Sequence, residues 1–155
     1  MTAAPLASRT LPPPVVDLLR LTARGIHLST AVRILGQHPE QARLRLERAA
    51  RACGVTGNAA LAYVACEAGL LPEPNPRQPP KHLRLTERER DVLPHLAAGV
   101  TSEDIALRLN CPPAEVRHTR CGLCSAFMAA NSTHFVTVAR ATGLPRTPYR
   151  QESAP

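Results

Sequence analysis

Apolar residues along this chain recur three and four positions apart in short stretches, and each stretch is closed by a turn residue. The pattern is clearest in residues 83–145. Thr86 followed by Glu89 is a capping box that opens a helix, and Gly99 suits the left-handed position just beyond that helix's C-terminus. Thr101 and Asp104 repeat the capping pattern for a second, shorter helix, whose Ile105, Ala106 and Leu109 share a face before Asn110 closes it. Pro113 suits the first turn of a third helix, where its missing donor would be an orphan anyway, and Val116, Leu123 and Phe127 fall on one stripe. A fourth helix over about 132–142, carrying Phe135, Val138 and Ala139, stops at Gly143.

Residues 11–71 have the same outline with weaker caps. Helices are predicted from Pro13 to Arg24, Leu28 to Leu35, Pro39 to Cys53 and Gly57 to Ala68; Pro12 stands where Thr86 stands, and His27 where Thr101 stands. Sliding one block onto the other by 74 residues, without a gap, gives 13 identical pairs over residues 11–70. They include Asp17/Asp91, Gly25/Gly99, Pro39/Pro113, Arg43/Arg117 and Gly69/Gly143, and such pairs in register point to duplication of one unit. Between the blocks, PEPNPRQPPKH (72–82) has five Pro in eleven residues, which excludes helix and sheet and predicts an extended, semi-rigid linker. The predicted organisation is a tail (1–10), a first unit (11–71), the linker (72–82), a second unit (83–145) and a second tail (146–155). The fold class is all-α, two tandem four-helix units.

Composition agrees with helices. Tyr63, Phe127, Phe135 and Tyr149 are the only aromatics and Trp is absent, so the core must be built from Leu, Val, Ile and Ala. The net charge is +7, and Lys81 is the only Lys among the 19 basic residues, which makes a polyanion a plausible partner. Residues 11–71 carry seven Arg against four acids, and residues 83–145 seven against six, so the less regular block is the more basic. No apolar run approaches the roughly 18 residues of a membrane span, and MTAAPLASRT lacks the features of a secretory signal, so a cytoplasmic protein without membrane contact is expected. Five cysteines, an odd number, suit reduced thiols.

A short helix, a tight turn and a longer basic helix make a helix-turn-helix, a geometry that places the longer helix in the DNA major groove. Residues 85–144 strongly resemble the LuxR-type (GerE-like) DNA-binding domain. The motifs that carry the resemblance are LTERERDVL, AAGVTSEDIALRL, the VR pair at 116–117 and the closing VARATGL. The resemblance implies a four-helix unit whose third helix reads the major groove and whose fourth often forms a dimer contact. It implies DNA contacts at Arg117, His118, Thr119 and Arg120. Cys111, Pro112 and Thr119 depart from the family's usual residues at their positions. The first block resembles the family only through the repeat; there Arg43 aligns with Arg117, and Arg45 and Arg48 lie near it. The plainer reading of these arginines is a solvated face paired with Glu47.

The fourth helices offer Leu61, Tyr63, Val64, Phe135 and Val138 as contacts, between units of one chain as a pseudo-dimer or between chains in a homodimer. Cys121 and Cys124 form a single CxxC inside the third helix, where a four-ligand zinc site does not fit, so neither metal nor cofactor is expected. His27, His38, His82, His95, His118 and His134 are scattered with no nucleophile elbow or phosphate loop, so no enzyme is expected. The expectation is therefore a sequence-specific DNA-binding transcriptional regulator of the bacterial nucleoid, using both recognition helices on double-stranded DNA. The competing class is a protein-interaction module of helix-turn-helix fold that binds a sigma factor, RNA polymerase or another regulator.

Overall fold

The computed structural model describes residues 11–81 and 83–144; both expected tails, and His82 at the end of the linker, lie outside the described residues. Among the described residues the only regular elements are helices. The elements are α1 (Pro13–Thr22), α2 (Leu28–Ile34), α3 (Pro39–Ala52), α4 (Asn58–Glu67), α5 (Glu87–Ala97), α6 (Ser102–Leu109), α7 (Pro113–Ala126) and α8 (Ser132–Ala141). Each helix of the second half opens 74 residues after its counterpart: Pro13 and Glu87, Leu28 and Ser102, Pro39 and Pro113, Asn58 and Ser132. The left-handed turns that end the helices keep the same register, at Gly25 and Gly99, Gly36 and Asn110, Gly54 and Met128, Gly69 and Gly143.

Local chemistry explains the boundaries. Thr86 and Glu89 close a complete capping box: the Glu89 N–H donates to the Thr86 hydroxyl at 3.2 Å, and the Thr86 N–H donates to Glu89 Oε2 at 2.8 Å. Thr101 caps α6 by accepting from the Asp104 N–H at 3.2 Å, and Asn131 caps α8 by accepting from the His134 N–H at 2.8 Å. Pro12, His27, His38 and Gly57 stand at the corresponding starts in the first half and supply no side-chain cap. Thr86→Ala is expected to lower unfolding stability by about 1 kcal/mol, read from the denaturant midpoint; an unchanged midpoint would mean that α5 does not depend on its box. Pro94 sits inside α5 and leaves one carbonyl of the preceding turn without its helical donor.

Two hydrophobic cores result. The first is built from Val15, Leu18, Leu19, Ala31, Val32, Leu46, Leu61 and Ala65, and the second from Val92, Leu96, Ile105, Val116, Leu123, Phe135 and Ala139. Phe127 meets Phe135 edge to face, with ring centroids 5.3 Å apart, in the second core. Within their own halves the fourth helices are not packed identically: α4 lies mainly against α3, whereas α8 lies mainly against α5. The most extensive packing between the halves is that of α4 against α8. No helix among the described residues is long and apolar enough to cross a membrane.

Candidate nucleic-acid interface

The chain from α6 to α7 turns through three residues. Asn110 takes the left-handed conformation (φ 52°), the Cys111 N–H returns to the Ala106 carbonyl at 3.0 Å, and extended Pro112 leads into Pro113. Cys111 is half-buried against the second core, so this turn is held by packing as well as by hydrogen bonds. Val116, Thr119 and Leu123 seat α7 on the core. That leaves Ala114, Arg117, His118, Cys121, Gly122 and Ser125 facing solvent along the other side of the helix.

The four residues implied for this helix separate into two groups. Arg117 and His118 are exposed, and Arg117 reaches back to Glu103 on α6 at 3.3 Å. Thr119 is 8% exposed and its hydroxyl donates to the Glu115 carbonyl at 2.9 Å, so this side chain is turned inward and its donor is already used. Arg120 is half-buried beside Cys124, whose thiol is raised above its ordinary pKa by burial despite that guanidinium. In the first half, Arg43 and Arg48 are exposed, and Arg43 pairs with Glu47 one turn on at 2.6 Å. Arg45 is half-buried and lines a groove with Pro12, Pro14, Ala49 and Cys53. Exposed ion pairs of this kind contribute little, so Arg43 and Arg117 are freed for another partner at small cost.

At the junction of the halves, the apolar residues of the fourth helices divide between core and contact. Leu61 belongs to the first core, and Phe135 and Val138 to the second. Val64 is buried outside both cores, as are Ala23, Ala60 and Val136, none of which was singled out. Tyr63 is half-buried, with its hydroxyl raised in pKa by burial first and by Glu67 second. The Thr137 hydroxyl donates to the Ala23 carbonyl at 2.6 Å. Arg140 of α8 binds Glu67 of α4 and, through Nη2 at 2.7 Å, Glu73 of the linker, while the Arg77 N–H donates to the Ala141 carbonyl at 2.8 Å. Residues 72–80 form neither helix nor strand and are tied to α8 through Glu73 and Arg77.

Two histidines are expected to make the folded chain sensitive to acid. Burial lowers the pKa of His134, with Arg77 adding to the effect; burial lowers that of His95, with Arg108 reinforcing and Asp91 opposing. The His134 Nδ1 also accepts from the Ala130 N–H at 3.0 Å, a bond that protonation would remove. Unfolding returns both rings to an ordinary value of 6.5, so below that pH the unfolded chain binds protons that the folded chain does not. Stability is expected to fall as pH drops from 7 to 5. Denaturant melts should show the decline, and His134→Gln should flatten it; an equal decline in that variant would remove His134 as a cause.

Among the described residues, no three His, Cys, Asp or Glu side chains converge as metal ligands. None of the five cysteines is in a disulfide, and burial pushes the Cys66 thiol up to about 11, which makes it a packing group at neutral pH.

A short capped helix, a three-residue turn and a longer helix with an outward arginine have the geometry of a helix-turn-helix. Residues 83–139 match the family described as bacterial regulatory proteins, luxR family, the GerE domain. This segment is a LuxR-type helix-turn-helix domain, the DNA-binding module of transcription regulators. No curated protein and no solved structure matches the chain.

Proposed function

We propose that this chain is a sequence-specific DNA-binding regulator of transcription, acting in the cytoplasm at the bacterial nucleoid, in which α7 enters the major groove and residues 11–71 serve as a diverged second copy of the same unit. The observation that carries the reading is the solvent face of α7, where Arg117 and His118 project from a helix seated on its core by Val116 and Leu123. A guanidinium projecting from such a helix suits bidentate reading of guanine. The constant spacing of helices and left-handed turns supports the second copy, and the matched placement of Arg43 supports a DNA role for α3. With Arg48 and Arg51 exposed nearby, α3 is suited mostly to phosphate contacts, whereas α7 has fewer charges and is suited to base readout.

Salt titration tests this division. Arg48→Ala should reduce the slope of log affinity against log salt by about 0.9, the share of one phosphate contact, and weaken all sequences alike. Preserved affinity and slope would remove α3 from the interface.

One observation favours a second reading for the first half. Ile34 is 59% exposed on α2 and Leu44 40% exposed on α3, which places apolar side chains where a DNA-binding surface has little use for them. A protein partner such as a sigma factor or RNA polymerase would cover them. Pull-down of purified polymerase by the chain, lost in Ile34→Asp with DNA binding retained, would support that reading.

A further inference from the structure

The halves meet in a way that constrains how DNA would be engaged. Gly25 of the first half approaches His134 of α8: a Cβ placed on it would lie 2.9 Å from His134 Nδ1. Gly99 of the second half approaches α4, and a Cβ placed on it would overlap the Ala59 carbonyl and the Ala60 nitrogen. Gly25 and Gly99 are equivalent at the 74-residue offset, and so are Ala60 and His134. The glycine after the first helix of each half thus meets the start of the fourth helix of the other. A contact in which position i meets j and j meets i is the signature of two-fold symmetry; a head-to-tail arrangement would pair different positions.

The same contact uses up the fourth helices. Val64 and Val136 are buried outside both cores, Thr137 is bonded to Ala23, and Arg140 spans to Glu67 and Glu73. A second chain is therefore denied the surfaces that this one has paired internally.

The surfaces related by the pseudo-axis are unlike. Arg43 and Arg117 occupy the same position of α3 and α7 and both are exposed. Around them, Leu44 replaces His118 and Glu47 replaces Cys121, so the two helices share one reading group and differ beside it.

We propose that a single chain, by pairing α4 with α8, carries α3 and α7 as two unlike reading helices of one pseudo-two-fold module, and that it binds as a monomer to two adjacent, non-identical DNA half-sites. This rests on the DNA-binding reading given above. The shared arginine predicts one base pair in common between the half-sites, with divergence on either side of it. Half-sites read by two-fold-related helices lie about 10 base pairs apart, centre to centre. Because both helices belong to one molecule, occupancy follows chain concentration to the first power, with no dimerisation step.

The test is selection of duplexes from a random library by the full chain, followed by native mass spectrometry of the chain on the selected duplex. One chain per duplex is expected, on a motif with two unlike halves. Arg43→Ala and Arg117→Ala, both at exposed positions, should each lower affinity about tenfold to a hundredfold and should each relax selection in a different half. Two chains on a palindromic motif would overturn the inference and leave the DNA-binding reading intact. So would a motif confined to one half and indifferent to Arg43. Failure to enrich any motif would overturn both.

Discussion

Charge reversal at Arg117 is expected to abolish sequence-specific DNA binding while leaving the fold intact. The side chain is half exposed on the solvent face of α7, and the pair it makes with Glu103 at 3.3 Å is an exposed one that contributes little to stability. Truncation to Ala removes one bidentate contact, worth about 1–3 kcal/mol of discrimination. Arg117→Glu adds a carboxylate beside Glu103 that would face the phosphates and the acceptor edge of guanine, so affinity for a selected duplex should fall by more than about a thousandfold. Fluorescence anisotropy at fixed salt reads the loss, and circular dichroism checks that the helices remain. Binding within a few-fold of wild type would mean that α7 is not the reading helix.

Gly99→Ala should be the most damaging small substitution in the chain. Gly99 has φ +77°, a region where a side chain costs about 1–2 kcal/mol, and the added methyl would overlap main-chain atoms of Ala59 and Ala60. Backbone cannot swing aside as a side chain does, so α4 would have to leave the α5 corner, weakening its packing with α8. A loss of about 3 kcal/mol or more is expected. Gly143→Ala supplies the comparison, since φ there is +72° with nothing within 4 Å of the added carbon; about 1 kcal/mol is expected from conformation alone. Gly25→Ala should fall between them, because its nearest neighbour is the His134 ring and not main chain. Equal losses at Gly99 and Gly143 would show that the contact between halves contributes nothing to stability.

Those two substitutions also mark what was legible in the sequence. Helix starts were readable because their chemistry is local: Thr86 with Glu89, Thr101 with Asp104, and Pro39 and Pro113 in first turns each act within a few residues. The pairing of α4 with α8 depends on residues far apart in sequence and left a fainter mark. Leu61 and Phe135 attract notice as large apolar groups and are packed in their own cores, Val138 belongs to the second core and also lines a pocket with Ala23 and Leu71 of the first half, and Ala23 and Ala60 lie at the junction. One sign was present. The stretch NAALAYVACE is apolar almost all round, with Ala60, Leu61, Ala62, Val64, Ala65 and Cys66 all buried, and a helix of that kind is covered from more than one side.

Thr119 illustrates a second limit. Its position within a family motif placed it among the DNA contacts, but threonine in a helix bonds readily to a carbonyl one turn back, here that of Glu115, and its methyl suits the core. Arg120 and Arg45, both half-buried, show that charge alone does not say which arginines project from a helix and which lie along its flank.

The central claim is that the chain reads DNA sequence through α7. Competition between a selected duplex and a scrambled one at physiological salt tests it most directly. A preference of at least about a thousandfold for the selected duplex is expected, lost in Arg117→Glu. Equal binding to both duplexes, or a preference unchanged by that substitution, would contradict it.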